Sequence, residues 1–521
     1  MFGLADDLAK LARVSRDLPR FLRAPVEVGR AIDTIGSRLA TREPRFLALA
    51  ERAVYARPSS PYLRLLRAAG CELDDLRQLV QRDGLEGALE RLAAAGVYLT
   101  FDEFKGQREV VRGSQRFAVA EEELDNPDVS PHLEARSGGT RSRGTSVKMA
   151  LPYFFELASH TAVALHANGL GHYDHAFWVQ VATPGLIYAG LGRPPLAWFH
   201  PVRPLPAKTL AVARYMSLLA RLSGRRLPAP VFLGLETPGR LVDWLLARRR
   251  EGRFVCLTTY ASSAVRVCLA ARERGQRLDG IGFITLGEPF TDAKRAAVEA
   301  VGARALVRYA FTEAGIIGFG CGEARRSDDL HFFRDGYGLI QRSRAVGDGG
   351  PVVNALLFTS LLPSAPKILL NVESGDSALV ERRECGCPMG TAGLSTHLSG
   401  IRSFEKLSGE GMTFVQTDLL RVLEDVLPAR LGGTSADYQV VETEGEHGIL
   451  RVCLLVSPRV GPLDEAAARE LFLRELGQAG ATEAEMAQLW RRAGSVEVRR
   501  EWPLPTKAGK ILPFHLAPPA R

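Results

Sequence analysis

The stretch "RFVCLTTYASSAVRVCLAARERG", Arg253–Gly275, followed at once by "LDGIGFITLGEPFTDAKRAAVEAVG", Leu278–Gly302, decides the fold class. Each half reads as an apolar strand, a turn of small residues and a helix, and Gly275 closes the first helix. A strand that returns through a helix pairs in parallel with its predecessor, because a hairpin cannot make that connection. "ARALVRYAFTEAGIIGFGCG", Ala303–Gly322, reads as a further strand ending in a loop, and "FWVQVATPGLIYAGL", Phe177–Leu191, as an apolar run followed by a Pro-Gly turn. The expectation is an α/β body with largely parallel strands.

Outward from this centre the texture changes twice. Residues up to Gly96 read as helical, with breaks near Arg57-Pro58 and Asp83-Gly84. The first stretch is a basic amphipathic helix, with Leu4, Leu8, Leu11 and Val14 at helical spacing. Packing on the protein's own body is the reading favoured over a membrane surface. Beyond about Gly400, "TDLLRVLEDVLP" is a helix and "DYQVVETEGEHGILRVCLLVSP" is two strands around a turn. "LDEAAARELFLRELG" is a helix and "SVEVRREWPLP" a strand. That set is a small α+β domain. The predicted organisation is a helical region over 1–96, an α/β body over 97–402 and a small mobile domain over 403–521.

Composition sets the outer limits. A chain of 521 residues exceeds one ordinary core. The net charge of +8 is spread among acidic residues rather than gathered in a block, which argues against a nucleic-acid partner. Seven cysteines, an odd number, do not make a disulfide framework. Asp6 and Asp7 interrupt what would be the apolar core of a signal peptide, and no apolar run reaches membrane-spanning length. A reducing cytoplasm is the expected location.

Two clusters carry chemistry on residue type alone. "EARSGGTRSRGTSVKMALPY", Glu134–Tyr153, packs small hydroxyl residues and positive charge into one loop. Convergent backbone N–H groups backed by charge suit a polyphosphate; a solvated basic loop is the alternative. Cys321 and His331 in "GCGEARRSDDLHFF", with Cys385 and Cys387 in "ERRECGCPMG", supply three thiols and an imidazole. That is a closed tetrahedral Zn²⁺ set, and a C-x-C knuckle suits a metal better than a strained bridge. Buried free cysteines beside one surface histidine are the alternative. Cys256, Cys268 and Cys453 read as core. His160, His166, His172, His175 and His200 have no evident carboxylate or thiol partner in sequence and read as core or surface residues.

Three motifs stand in order: Ser137-Gly138-Gly139-Thr140, Tyr309-Ala310-Phe311-Thr312-Glu313, and "PLPTKAGKILPF" with Lys510 near the C-terminus. Together with "LTFDEF", "TLGEP" and "NVESGD" they resemble the adenylate-forming ligase superfamily. Within it the chain looks most like the phenylacetate–CoA ligase branch and its luminescence-type acyl-protein synthetase relatives. The resemblance runs from about Leu99 to the end. It implies a large adenylating-enzyme body with a small C-terminal domain. It also implies ATP- and Mg²⁺-dependent activation of a small carboxylic acid, followed by transfer to a thiol, with coenzyme A as co-substrate. A carrier-protein or protein thiol, a partner acyl-transferring enzyme or an amine is the alternative acceptor, and a non-catalytic binding paralogue the alternative class.

By the same resemblance, Ser137, Gly138, Gly139 and Thr140 wrap the β/γ-phosphates, with Arg141, Arg143 or Lys148 adding charge. Thr312 and Glu313 serve the Mg²⁺–phosphate end, a carboxylate being a suitable Mg²⁺ ligand; a helix N-cap pair is the alternative. Tyr309 stacks on adenine, and Gly287, Glu288 and Pro289 form the adenine-side wall. Asp376 holds the ribose hydroxyls, since one carboxylate accepts two such bonds. Arg402 bonds ribose or phosphate, and the hinge falls within Phe404–Lys406. Lys510 neutralises charge developing on the carboxylate and α-phosphate; Lys507 is its competitor. Tyr260 or Trp178 walls the acid pocket. The chain departs from the family pattern at Arg141-Ser142-Arg143, at Ala310 in place of a usual Gly, and at the hinge.

Overall fold

The computed structural model describes residues 4–136, 145–201, 207–345, 352–404, 406–409, 412–415, 419, 421–433, 437–445, 447, 449–478, 481–504 and 514–516. Its centre is a twelve-stranded sheet. In chain order the strands are β1 (Asp174–Trp178), β2 (Ala197–His200), β3 (Pro230–Phe232), β4 (Val255–Tyr260), β5 (Ile281–Leu286) and β6 (Arg304–Phe311). Then follow β7 (Gly315–Phe319), β8 (Leu330–Phe332), β9 (Tyr337–Ala345), β10 (Val352–Ser360), β11 (Val372–Arg382) and β12 (Thr396–Ser403). Their spatial order is β9-β10-β11-β12-β8-β7-β6-β5-β4-β1-β2-β3.

The run from β6 to β3 is parallel. All six residues of β4 are buried, because helices cover both faces of this half. Pro238–Arg250, Ala261–Glu273 and Asp292–Glu299 lie over one face around Val255, Leu257 and Phe283. Leu151–Ala167 and Thr183–Gly190 pack into the core around Ile284 and Leu306. Burying a Leu, Ile or Phe side chain in this way contributes about 1.5–3 kcal/mol each, so the sandwich, not helix propensity, holds these elements.

Two sequence expectations are corrected. The sheet is not largely parallel: β6 through β12 pair antiparallel. Among the described residues their links hold no crossover helix of useful length, and short links permit hairpins only. "TEAG" is the tight turn of the β6–β7 hairpin, which Gly315 enters at φ +80°. Pro184-Gly185 is not a turn but opens the helix Thr183–Gly190, where proline's missing N–H costs nothing.

The N-terminal helices share the core of the antiparallel half. Leu85 and Leu89 lie against Gly338 of β9, where a Cβ would come within 2.8 Å of Leu89. In Leu4–Arg23, Val14, Leu18, Phe21 and Leu22 are buried on the body, whereas Leu8 and Leu11 are exposed. The break expected at Gly84 is present, at φ +69°. Among the described residues no helix is long and apolar enough to cross a membrane. The body's core runs to Phe404, and a separate core begins at Leu419. It fills a four-stranded sheet built on Tyr438–Glu444 and Leu450–Val456, with the helices Glu465–Leu476 and Ala481–Ala493. Leu489 and Ala493 of this small unit join the body's helix-covered face, and the Arg266 guanidinium donates to the Ala493 carbonyl at 2.9 Å.

Candidate functional site

In the parallel half the strand order reverses between β1 and β4. In open α/β sheets, ligands sit outside the carboxyl ends of strands at such a switch point. Gly287-Glu288-Pro289 directly follows β5 at that edge. Gly287 is exposed and takes φ +78°, which only glycine adopts freely, so the backbone there can approach a ligand. The Glu288 side chain faces inward. Its carboxylate accepts from the Ser262 N–H at 2.9 Å, in the first turn of Ala261–Glu273, and lies 3.5 Å from buried Lys294. Glu288 thus anchors the loop on a helix N-terminus, where an anion is stabilised, and leaves the Gly287 backbone exposed.

Tyr309 and Asp376 meet across the sheet. The Tyr309 hydroxyl donates to Asp376 Oδ2 at 2.7 Å. Burial, then the Asp376 charge, pushes the Tyr309 hydroxyl well above its ordinary range, so it stays a donor. Asp376 pairs with Ser403 in the β11–β12 register, beside Arg402. Arg402 is half exposed and donates to Asp328 at 3.1 Å. Phe404, a hinge candidate, is buried and its N–H bonds the Gly375 carbonyl at 3.1 Å, which ties it to the body; Glu405 lies outside the described residues.

Thr312 and Glu313 occupy the β6–β7 turn, so neither caps a helix. Glu313 is buried and paired with Lys105, whose ammonium also donates to Thr145 Oγ1 at 3.0 Å. No sequence motif marks Lys105, although it directly follows "LTFDEF". That segment is held where it matters: Leu99 exchanges backbone bonds with Asn371 and Glu373, and Phe101 lies 3.3 Å from the Cβ position of Gly375. "LTFDEF" and "NVESGD" therefore meet, and the lysine after the first reaches the carboxylate of the hairpin turn. No periodicity signals such a lysine, which is the C-cap of the one-turn helix Phe101–Phe104. Replacing Lys105 by Met strands a buried carboxylate, with an expected loss of about 3 kcal/mol of stability. Denaturant midpoints check this: the double variant Lys105→Met/Glu313→Gln should recover most of it.

Ser137, Gly138, Gly139 and Thr140 lie outside the described residues, as do Arg141, Arg143, Lys507 and Lys510. The strands flanking the first group, Leu133–Arg136 and Ser146–Met149, pair antiparallel, with Arg136 opposite Ser146. Lys148 is engaged by Asp125 at 2.8 Å.

Cys321, His331, Cys385 and Cys387 come together although 64 residues separate the first from the third. Their ligand atoms lie within 4.8 Å of one another. The Cys321 and Cys385 sulfurs are 3.8 Å apart. That is far too long for a disulfide, and it matches the edge of about 3.8 Å of a tetrahedron with Zn–S bonds near 2.3 Å. His331 donates from Nδ1 to the Leu394 carbonyl at 2.6 Å, which leaves Nε2 as an acceptor 3.2 Å from Cys387 Sγ. That orientation is the usual second contact of a metal-bound imidazole. The Cys387 thiol is pulled down by Cys321 first and also by His331 and the Gly390 N–H. The donor set fits a tetrahedral metal.

Two of the remaining histidines have structural settings. His160 is fully buried and bonds Asp335 at 2.9 Å, a carboxylate partner not evident from sequence; His175 is buried against Tyr188. Tyr260 and Trp178 fall on opposite faces of the sheet: Trp178 packs with Leu233 and Leu257, Tyr260 with Phe177 and Val179.

No protein-family model and no curated protein matches this sequence. Among solved structures, the chain is similar to 2-hydroxyisobutyryl-CoA ligase in complex with 2-HIB-AMP and CoA, with a TM-score of 0.51 and 16% identity. That match covers 95% of this chain and 91% of the other. An amide bond synthetase variant from Marinactinospora thermotolerans aligns over 90% of this chain and 91% of its own, at 14% identity and a TM-score of 0.38. The anthranilate CoA ligase AuaEII aligns over 73% and 65%, at 14% identity and a TM-score of 0.32. The two lower scores are too small to bear on the fold. The first shows it: a mixed α/β body around a large sheet with a small C-terminal domain, the fold of adenylate-forming enzymes.

Proposed function

We propose that this chain activates a carboxylic acid with ATP and passes the acyl group to a thiol, with coenzyme A as the acceptor and phenylacetate–CoA ligase-like chemistry. The observation that supports it best is the meeting of Tyr309, Asp376 and the "LTFDEF" segment beside the Glu313 turn, in a fold shared with a CoA ligase. An oxygen of the acid attacks the α-phosphorus of ATP. A new P–O bond forms, the bond to the bridging oxygen breaks, and pyrophosphate leaves. The acceptor sulfur then bonds the carbonyl carbon, AMP departs, and the thiol proton goes to solvent.

Tyr309 supplies a face for adenine, and the Gly287-Glu288-Pro289 backbone walls it. Asp376 accepts from the ribose hydroxyls, and Arg402 reaches ribose or phosphate. Ser137, Gly138, Gly139 and Thr140 cradle the outer phosphates. Thr312 and Glu313 bind the Mg²⁺–phosphate end, where the ion would neutralise phosphate charge. Lys105 holds the Glu313 carboxylate in place until then. Lys510 meets the charge that develops between acid and α-phosphate. Cys321, His331, Cys385 and Cys387 hold a structural Zn²⁺; a reducing cytoplasm keeps those thiols available. The 403–521 unit moves between the half-reactions, since near-contact positioning of two different groups at one carbonyl needs two arrangements.

ATP–pyrophosphate exchange across aryl, acyl and amino acids tests the reading. Exchange that depends on an added acid supports it; folded, nucleotide-binding protein without exchange for any acid makes the chain a binding paralogue instead.

A further inference from the structure

Resting on the adenylation reading, we infer that the acid this chain activates carries a second anionic group, held by Arg308 beside Tyr260 and Gln180. Arg308 lies on β6, one residue beyond the Val307–Thr285 pairing. It is therefore level with Leu286 and Tyr260, the paired last residues of β5 and β4. Strand alternation puts Arg308, Leu286 and Tyr260 on one face, at the carboxyl edge of the parallel half. Gln180 follows β1 on the other side of the switch point, and its Oε1 accepts the Tyr260 hydroxyl.

Arg308 is 8% exposed, and among the described residues no carboxylate or carbonyl accepts a hydrogen bond from its guanidinium. Among the same residues the amide nitrogen of Gln180 is also buried without an acceptor. Tyr188, which also lies near Arg308, is committed to Thr258. Among the described residues the patch is rich in donors and short of acceptors. A buried guanidinium without a counter-ion is costly and persists where something else supplies the charge. Beside it lie Phe177, Val179 and Trp198, with Leu286 packed against them, an apolar wall for the body of a substrate. Arginine's planar fork suits a carboxylate or a comparable oxyanion. The complementary ligand is an acid with an apolar or short spacer and an oxyanion at its far end.

The test compares dicarboxylic acids with methyl-ended monocarboxylic acids of the same length, in wild type and Arg308→Met, which keeps the apolar stem. Wild type should favour the dicarboxylates in ATP–pyrophosphate exchange by roughly tenfold or more, as a site built for a polar group rejects its absence. Arg308→Met should lose or invert that preference. A dicarboxylate alone should raise the thermal midpoint of wild type and not of the variant. Should Arg308→Met fail to fold, Arg308→Lys and Gln180→Leu read the same preference. Wild type that prefers methyl-ended acids, with a ranking the substitutions leave unchanged, overturns the inference. So does a folded Arg308→Met whose thermal midpoint falls by several degrees, since the guanidinium would then serve the fold. If no acid supports exchange but the dicarboxylate still shifts wild type alone, the anion site stands and adenylation falls. Neither exchange nor shift rejects both.

Discussion

Lys510→Ala is expected to lower acid-dependent ATP–pyrophosphate exchange by on the order of 100-fold or more, the scale of losing one group that meets charge developing in a transition state. The expectation rests on the Gly509-Lys510 ending of "PTKAGK". On both sides of that stretch the chain is anchored to the small domain's sheet: the Leu504 N–H donates to Gln439 at 2.6 Å, and Phe514–Leu516 pairs in parallel with Val440–Glu442. Removal of a side chain between two anchors should leave the fold and ATP binding intact. It should also spare the second half-reaction, so that a supplied acyl adenylate still yields thioester. Lys507→Ala should leave exchange within a few-fold of wild type, as for a solvated lysine. Loss of exchange in Lys507→Ala with retention in Lys510→Ala would transfer the role.

Removal of the metal is expected to be the largest effect on stability. Structural zinc in small sites contributes on the order of 10 kcal/mol of binding free energy. Here it would join the end of β7, strand β8 and the β11–β12 connection. Protein purified without chelator should hold about one Zn²⁺ per chain, the content of one four-ligand site. Cys387→Ser should lose metal and stability together. The damage should also reach the proposed nucleotide side, because Asp328 and Asp329 stand immediately before Leu330 and His331. Asp329 binds Arg383 and, at 2.9 Å, His397, while Asp328 holds Arg402. Loss of the metal should therefore raise the KM for ATP in whatever protein remains folded. Metal-free protein of full stability would remove zinc from the account.

How much of this was legible follows from chain connectivity. Strand–helix alternation announced β4 and β5, because a crossover helix separates each strand from the next and the two periods differ. The antiparallel half was obscure for the opposite reason. Between Arg304 and Phe319 two strands are joined by a three-residue turn, and without a punctuating helix they read as one strand and a loop. The cluster of Cys321, His331, Cys385 and Cys387 was legible by residue type even though its members are distant in the chain, since thiols and imidazole have few other joint uses. Lys105 and Arg308 were not. A lysine after a short helical turn and an arginine inside an apolar strand acquire meaning only from what lies opposite them in space, Glu313 in one case and no described acceptor in the other. Glu288 makes the converse point: its motif position suggested the adenine wall, but its side chain is spent on the Ser262 N–H and Lys294, and only the backbone faces outward.

The central claim is that an acid oxygen attacks the α-phosphorus of ATP. The most direct measurement uses an acid whose carboxylate carries heavy oxygen, incubated with ATP, Mg²⁺, the thiol acceptor and this protein, followed by mass spectrometry of the products. Attack by the acid oxygen places one heavy oxygen atom in the phosphate of AMP and none in pyrophosphate. Heavy oxygen in inorganic phosphate, or AMP without label, would contradict it.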